Sequence, residues 1–388
     1  MSLPGAIGAE KVAVVTAIGA TARAFLLPQI DAMRGQALEP FLVCSAGEDV
    51  ESLRARGLRV ATIPIPRSIN PLTDLLSLWR LYRLFRVERP RIVHTHTPKA
   101  AFLGQISARL ARVPIRINTV HGLFYVGQPR GAKRAIYKQL ELLACRLATF
   151  VFCVSAEDVP VLQKYLSADR IEATGNGIDL SRFDSASFTR EDRDKLRDEL
   201  AIPRSAFVVG VVARMVNEKG LRELMQAVAK VRRSGRDAWL LHVGPVDRSR
   251  GDEVTPDYAE SVGIAGTSRF LGSRTDVNRI MAAMDIFCLP SYREGYPVSV
   301  IEAAAMGLPV ITTNIRGCRE AVIDGVNGLL VPAKEVEPLV AAIARLHDDV
   351  PLRRELAEGA RKRAAECFDE RRVVKQIMAV YHRLRSAM

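Results

Sequence analysis

The chain has 388 residues, 48% of them apolar and 26% charged. That composition excludes an intrinsically disordered chain, and the length fits two domains. Net charge is +13, and from Arg80 to Arg146 14 Lys and Arg face only two acids, Glu88 and Glu141. Such a block points to an anionic partner: nucleic acid, anionic lipid or a phosphorylated substrate.

No apolar run reaches the ~20 residues of a membrane-spanning helix. MSLPGAIGAE has neither a basic region nor an apolar core of signal-peptide type. Residues 1–10 are set aside as leader sequence. KVAVVT (11–16) predicts a strand, followed by a helix from Thr21 to about Gly35. PFLVCS (40–45) and LRVATIPI (58–65) predict strands, and Pro71 opens a helix to about Glu88. RIVHTH (91–96), a helix over 98–112, IRINTV (115–120), a helix over 131–148 and TFVFCVS (149–155) continue the series. Apolar runs without polar alternation predict strands buried on both faces, hence a parallel sheet with helices between.

The polar stretch 181–200 breaks the pattern and ends in a helix. AFVVGVVA (206–213) then opens a second βα series, with later strands at 237–244, 268–272, 285–290, 308–313 and 328–332. The expected fold class is α/β: two Rossmann-like doubly wound domains facing a cleft. The first spans 1–185 and the second 186–366. A helix over 367–388 is expected to cross back to the first. Ligands of open parallel sheets bind at the carboxyl ends of the strands. Six cysteines (44, 145, 153, 288, 318 and 367) carry no C-x-x-C pair and predict buried free thiols in a reducing cytosol.

EGYPVSVIEAAAMG (294–307) follows a predicted strand. Pro297 suits the start of a helix and Gly307 its end. The N–H groups of Val298 and Ser299 open that helix, where a phosphate would sit. Glu294 before it and Glu302 on its second turn flank the phosphate position and would accept bonds from sugar hydroxyls. The alternative is an ordinary exposed Glu on an amphipathic helix. Arg214 and Lys219, in GVVARMVNEKGL, follow the first strand of the second domain. Two cations there would offset charge on a departing diphosphate; otherwise they are a solvated loop pair.

Gly19, after the first strand, would let backbone approach a ligand, although a tight turn explains one glycine better. Neither G-x-G-x-x-G nor a Walker lysine motif accompanies it. His121 ends a strand and would meet a sugar hydroxyl or an acceptor, or else be structural. His94 and His96 alternate on one strand end; a metal pair is conceivable, but no carboxylate cluster joins them, and a structural or supporting role is expected. Lys99 reads as solvated. Asp192-Arg193-Asp194 sits in a charged helix and reads as solvated surface. Arg80, Arg83 and Arg86 share about a third of one helix circumference, and Arg130, Lys133, Arg134 and Lys138 begin another helix. These read as an interfacial membrane surface, or as a solubilising face over a core. No nucleic-acid-binding module is present, and nucleic acid is not expected as partner.

These segments together resemble the retaining glycosyltransferases of family 4, which have the GT-B fold. The resemblance is carried by residues 270–332 with the paired glutamates, by GVVARMVNEKGL, by GNGIDLSRF (175–183) and by IVHTHTPKAAFLGQISARLARVPIRINTVHG (92–122). The last resembles the branch that builds capsular and lipid-linked oligosaccharides. The resemblance implies that Glu294 contacts the donor sugar and Glu302 the ribose hydroxyls. It assigns the diphosphate to Arg214 and Lys219, and the sugar or acceptor to His121. Gly19 would bring the N-terminal loop to the reaction centre, and Ser273-Arg274 would border the nucleobase through backbone. Many relatives carry Gly-Phe-Gly where this chain has Gly295-Tyr296-Pro297, so one N–H donor is missing.

The activity so implied is transfer of a hexose or N-acetylhexosamine, with retention, from a nucleotide-diphosphate sugar, expected to be UDP-linked. The first domain would take a lipid-linked saccharide acceptor and the second the nucleotide sugar, with no metal or other cofactor, in the cytoplasm at the inner membrane face. The competing readings are a UDP-N-acetylhexosamine 2-epimerase of the same architecture and a non-catalytic protein that binds anionic membrane or nucleic acid.

Overall fold

Apolar β-branched runs place the strands, and the intervening amphipathic segments place the helices over them. The computed structural model describes residues 9–66, 70–128, 131–248 and 251–387. Arg130 and residues 1–8, part of the stretch set aside above, lie outside the described residues. The chain divides into two units. One runs to Gly175 and takes up again at Arg371; the other is Asn176–Glu370.

The first unit opens with β1 (Glu10–Ile18), then α1 (Gly19–Thr21), a π-helical turn (Ala22–Leu26) and α2 (Leu27–Arg34). It continues with β2 (Leu38–Ser45), α3 (Asp49–Ala55), β3 (Arg59–Thr62), α4 (Pro71–Glu88), β4 (Ile92–His96) and α5 (Pro98–Leu110). β5 (Ile115–Val120), α6 (Ala132–Leu147), β6 (Phe150–Cys153), α7 (Val159–Leu162) and β7 (Ile171–Ala173) follow. The seven strands lie in the order β3-β2-β1-β4-β5-β6-β7, and every pairing is parallel. Parallel pairing buries both strand faces; Val12 to Val15 are accordingly fully buried.

The second unit runs α8 (Arg190–Glu199), β8 (Phe207–Val212), α9 (Leu221–Arg233), β9 (Ala238–Val243), α10 (Asp257–Ser261), β10 (Ser268–Phe270) and α11 (Val277–Ala282). It continues through β11 (Ile286–Leu289), α12 (Val298–Ala305), β12 (Val310–Thr313), α13 (Cys318–Ala321), β13 (Gly328–Val331), α14 (Val336–Asp348) and α15 (Val350–Cys367). Its parallel sheet has the order β10-β9-β8-β11-β12-β13. The last helix, α16 (Glu370–Ser386), packs Ile377, Met378, Val380 and Tyr381 into the core of the first unit.

In the first unit α3, α7 and β7 escape the sequence reading; all three are short. The boundary expected near 185 lies inside the second unit. The polar stretch 181–200 has the composition of a linker, yet Ile178 and Phe183 belong to the second core. Thr189 and Asp192 form a reciprocal capping box on α8. Within this unit Ile178 and Asp369 form a parallel bridge, so 176–178 and 368–370 run side by side. Gly177 allows it: a Cβ there would meet the Glu370 Cα at 2.4 Å.

Strand order reverses between β1 and β4 in one sheet and between β8 and β11 in the other. Such switch points open a crevice at the carboxyl ends of the strands. Gly19 follows β1, and Thr97 follows β4. Arg214 follows β8, and Glu294 follows β11.

Candidate functional site

In the second unit the loop after β8 carries both predicted cations, and neither is solvated alone. Lys219 donates from Nζ to Oε1 of Glu294 at 2.6 Å, and Ser291 Oγ donates to the same oxygen at 2.7 Å. The two side chains are 17% and 11% exposed, so this is a largely buried pair. Oε2 of Glu294 has no partner among the described residues. Arg214 is paired with Asp247, and Glu218 Oε1 lies 3.6 Å from its other terminal nitrogen. Glu218 also takes Arg293 at 3.0 Å. Half-buried cations need local counter-charges; hence the Lys219–Glu294 pair and a chain of pairs through Asp247, Arg214, Glu218 and Arg293 stand where the sequence suggested free cations. Gly220 makes the loop possible. Its φ is +68°, and a Cβ would lie 2.1 Å from the carbonyl oxygen of Pro290, at the end of β11.

The turn after Glu294 is held from two sides. Asn176 Nδ2 donates to the Tyr296 carbonyl at 3.1 Å. A Cβ on Gly317, at φ +78°, would sit 2.3 Å from the Gly295 carbonyl oxygen. Pro297 occupies the N-cap of α12, one place before the helix proper. Its missing N–H therefore costs the helix nothing. The N–H groups of Val298 and Ser299, first and second in α12, have no acceptor among the described residues, as orphan donors of a helix start. Gly307, at φ +68°, terminates the helix as expected.

Glu302 lies one turn further along. Its carboxylate makes no hydrogen bond or ion pair among the described residues. Burial pushes its pKa up to about 7 from an ordinary 4.5, against the opposing charge of Arg182. Ser273 is exposed after β10, and Arg274 is gripped by Asp276 through two bonds of 2.8 and 2.7 Å. The backbone is what this segment has to offer a ligand.

In the first unit His121, directly after β5, is half-buried. The loop that follows it is pinned by two buried carboxylates. Asp158 accepts from the Leu123 N–H at 3.1 Å, and Glu141 accepts from Phe124 and Tyr125 at 3.0 Å each. His96 Nδ1 lies 3.1 Å from His121 Nε2. His94 is committed on both nitrogens to protein groups, Tyr381 and Thr119, at 2.7 Å each. This supporting network replaces the metal pair that the H-x-H spacing allowed. Thr97, next to His96, is a β-branched residue at φ +68°, a strained conformation of the kind found near functional sites.

Gly19 is buried, and a Cβ there would meet the Asp49 Cβ of α3 at 3.0 Å. Its smallness thus serves helix packing. Lys99, expected to be solvated, is a largely buried partner of Asp74 at 2.6 Å. Asp192 caps α8, as a helix-surface acid can. Five of the six cysteines are buried free thiols, while Cys367 is exposed. Among the described residues no group of three or more His, Cys, Asp or Glu has metal-binding geometry.

Sequence reasoning missed Asp247, Ser291, Glu141 and Asp158 as partners of the predicted residues, while His96 has the supporting role expected of it. Asp247 and Ser291 had a signal, since each follows a strand at the same sheet edge. Glu141 and Asp158 had none, because each reaches the His121 loop from a distant segment.

Comparison with known proteins agrees with this geometry. The family described as Glycosyl transferases group 1 matches residues 192–363, and Glycosyltransferase Family 4 matches residues 29–182. The Escherichia coli UDP-Gal:alpha-D-GlcNAc-diphosphoundecaprenol alpha-1,3-galactosyltransferase is 30% identical over 83% of this chain and 84% of its own. The Campylobacter jejuni N,N'-diacetylbacillosaminyl-diphospho-undecaprenol alpha-1,3-N-acetylgalactosaminyltransferase is 27% identical over 94% of this chain and 96% of its own. Anabaena HepE, solved in complex with UDP, superposes with a TM-score of 0.81 at 21% identity, covering 96% of this chain and 99% of its own. Two Rossmann-like sheets, polar groups gathered at their switch points and these matches together show that the chain belongs to the glycosyltransferases of group 1 and family 4, with the GT-B fold.

Proposed function

We propose that the protein transfers a hexose or N-acetylhexosamine from a UDP-sugar to a lipid-linked saccharide, with retention and without a metal. The observation that carries the reading is the edge where β8 and β11 part. There the Arg214–Lys219 loop, the unpaired N–H groups of Val298 and Ser299, and the carboxylates of Glu294 and Glu302 are gathered. The N–H groups and the two cations would stabilise a departing diphosphate. Glu302 would accept from the ribose hydroxyls. Glu294, fixed through Oε1 by Lys219 and Ser291, keeps Oε2 for a hydroxyl of the donor sugar. The acceptor hydroxyl would attack on the face the diphosphate leaves, and Glu294 acts by positioning. His121 would bind the transferred sugar or the acceptor. The relatives named for diphosphoundecaprenol-linked substrates support the acceptor class, and HepE's complex with UDP supports the donor.

No helix among the described residues is long and apolar enough to cross a membrane. A lipid-linked acceptor therefore calls for a docking surface, and α4 supplies one. Leu72, Leu75, Leu76 and Trp79 are exposed, Leu72 by 82%. With Arg80, Arg83 and Arg86 they occupy about 140° of the helix at 100° per residue. Its opposite side, Ser77, Leu81 and Phe85, is buried. An apolar stripe beside arginines suits an anionic bilayer surface at the cytoplasmic face.

Calorimetry with UDP, GDP and ADP in metal-free buffer tests the donor. UDP binding that is lost on Arg214→Ala with Lys219→Ala supports the site. Preference for GDP or ADP changes the donor, and absence of binding to all three removes the reading. Consumption of a UDP-N-acetylhexosamine without any acceptor would instead indicate an epimerase.

A further inference from the structure

The first unit holds a buried polar chain that ends at His121. Gln29 Nε2 donates to His94 Nδ1 at 2.9 Å and to the Tyr381 hydroxyl at 3.3 Å. With its oxygen accepting, Tyr381 gives its own proton to His94 Nδ1, 2.7 Å away. Nδ1 of His94 is thus the acceptor, its one lone pair shared between the two donors, and its N–H sits on Nε2, donating to Thr119 Oγ1. The His96 ring lies against that of His94, with centroids 4.3 Å apart and planes tilted by 31°. His96 is 1% exposed, and its Nε2 is buried with no hydrogen-bond partner. Its Nδ1 meets His121 Nε2 at 3.1 Å, and the His121 ring lies 6.3 Å from that of Phe25.

Burial keeps all three rings neutral: it holds His94 down to about 3, His121 to about 4 and His96 well below the ordinary 6.5. Two neutral imidazoles in contact share one proton between the facing nitrogens, and there are two ways to place it. If His121 donates, His96 must carry its own proton on Nε2. That leaves a buried N–H without an acceptor, an arrangement folded proteins rarely tolerate. If His96 donates, only a bare ring nitrogen remains unpartnered in the interior. The second arrangement costs less.

We propose that His96 is a positioning residue for His121. It donates from Nδ1 to His121 Nε2, and so leaves the proton of His121 on Nδ1, a nitrogen with no partner among the described residues. His121 then presents a hydrogen-bond donor to a sugar oxygen and is no general base. The sugar contact rests on the function proposed above; the tautomer does not.

The full-length protein labelled with 15N-histidine is the sample, and long-range proton–nitrogen correlation reads which ring nitrogens carry protons. His121→Asn identifies the signals of His121. The expected pattern is Nδ1–H for His96 and His121 and Nε2–H for His94. A His121 protonated on Nε2, or an even mixture of its tautomers, overturns the proposal without any functional assay. His96→Leu is expected to mix the tautomers of His121 and lower kcat about tenfold, with little change in KM for the donor. His96→Asn, whose Nδ2–H replaces the lost donor, is expected to restore both. Loss of kcat in His96→Leu with an unchanged His121 tautomer overturns the positioning role, as does no change in either. If the wild-type protein shows the expected tautomers but no sugar transfer, the substrate role of His121 falls and the tautomer assignment stands.

Discussion

Replacing Glu302 by Gln separates the two consequences of burying that carboxyl. Its pKa is raised from 4.5 to about 7 by burial, so between those values the folded protein binds a proton that the unfolded chain has released. The sign follows: the group favours folding least where the unfolded carboxyl is ionised, and stability falls as pH rises from 4.5 towards 7. The full penalty, complete above pH 7, is at most about 3 kcal/mol at ~1.4 kcal/mol per pKa unit. Glu302→Gln removes it, and its melting temperature is expected to exceed that of wild type at pH 8 and to match it near pH 4.5. Nucleotide binding runs the other way. Ribose hydroxyls need an ionised acceptor, so wild-type affinity for UDP is expected to rise about tenfold between pH 6 and pH 8 and then level off. Glu302→Gln is expected to bind more weakly and to keep only the pH dependence of the nucleotide's own phosphate. Calorimetry at pH 6, 7 and 8 with both proteins, alongside thermal melts, gives every quantity. Equal affinity in the two proteins at pH 8 would remove Glu302 from the ribose, and equal melting temperatures there would refute the burial reasoning.

Asp285 accepts from Arg197 at 2.7 Å, from Arg193 at 2.5 Å and from the Val208 N–H at 2.7 Å, and Arg197 is only 2% exposed. Asp285→Ala leaves that buried guanidinium its bonds to the Ala283, Arg204 and Ala206 carbonyls but no counter-charge, with an expected loss of about 3 kcal/mol in denaturant unfolding. Gly220→Ala puts a Cβ against the Pro290 carbonyl at a left-handed φ, and UDP affinity is expected to fall while the far-ultraviolet circular dichroism is retained. Leu75→Ser with Trp79→Ser is expected to abolish sedimentation with anionic vesicles without lowering the melting temperature, since both side chains are exposed. Retained sedimentation would place the membrane surface elsewhere.

Both parallel sheets were legible in the sequence because strands buried on two faces read as unbroken apolar runs. The carboxyl-end positions of Arg214, Glu294 and His121 followed from the same runs, since Arg214 and His121 come directly after one and Glu294 one short turn later. The end of α12 followed from Gly307, whose left-handed φ needs no tertiary partner to interpret. Short elements did not survive this reading. α3 has seven residues, α7 four and β7 three, too few for a periodicity to declare itself. The domain boundary was misplaced because composition registers polarity and not which core an isolated Ile178 or Phe183 enters.

What only the tertiary structure decided is pairing. Lys219 and Glu294 are 75 residues apart, Arg214 and Asp247 33, and His96 and His121 25. In each case one residue type admits several partners, and the sheet order selects one by bringing particular strand ends together. Burial is likewise a tertiary quantity. Glu302 in sequence is a helix glutamate; it becomes a carboxyl with a pKa raised to about 7 because folding takes water away from it.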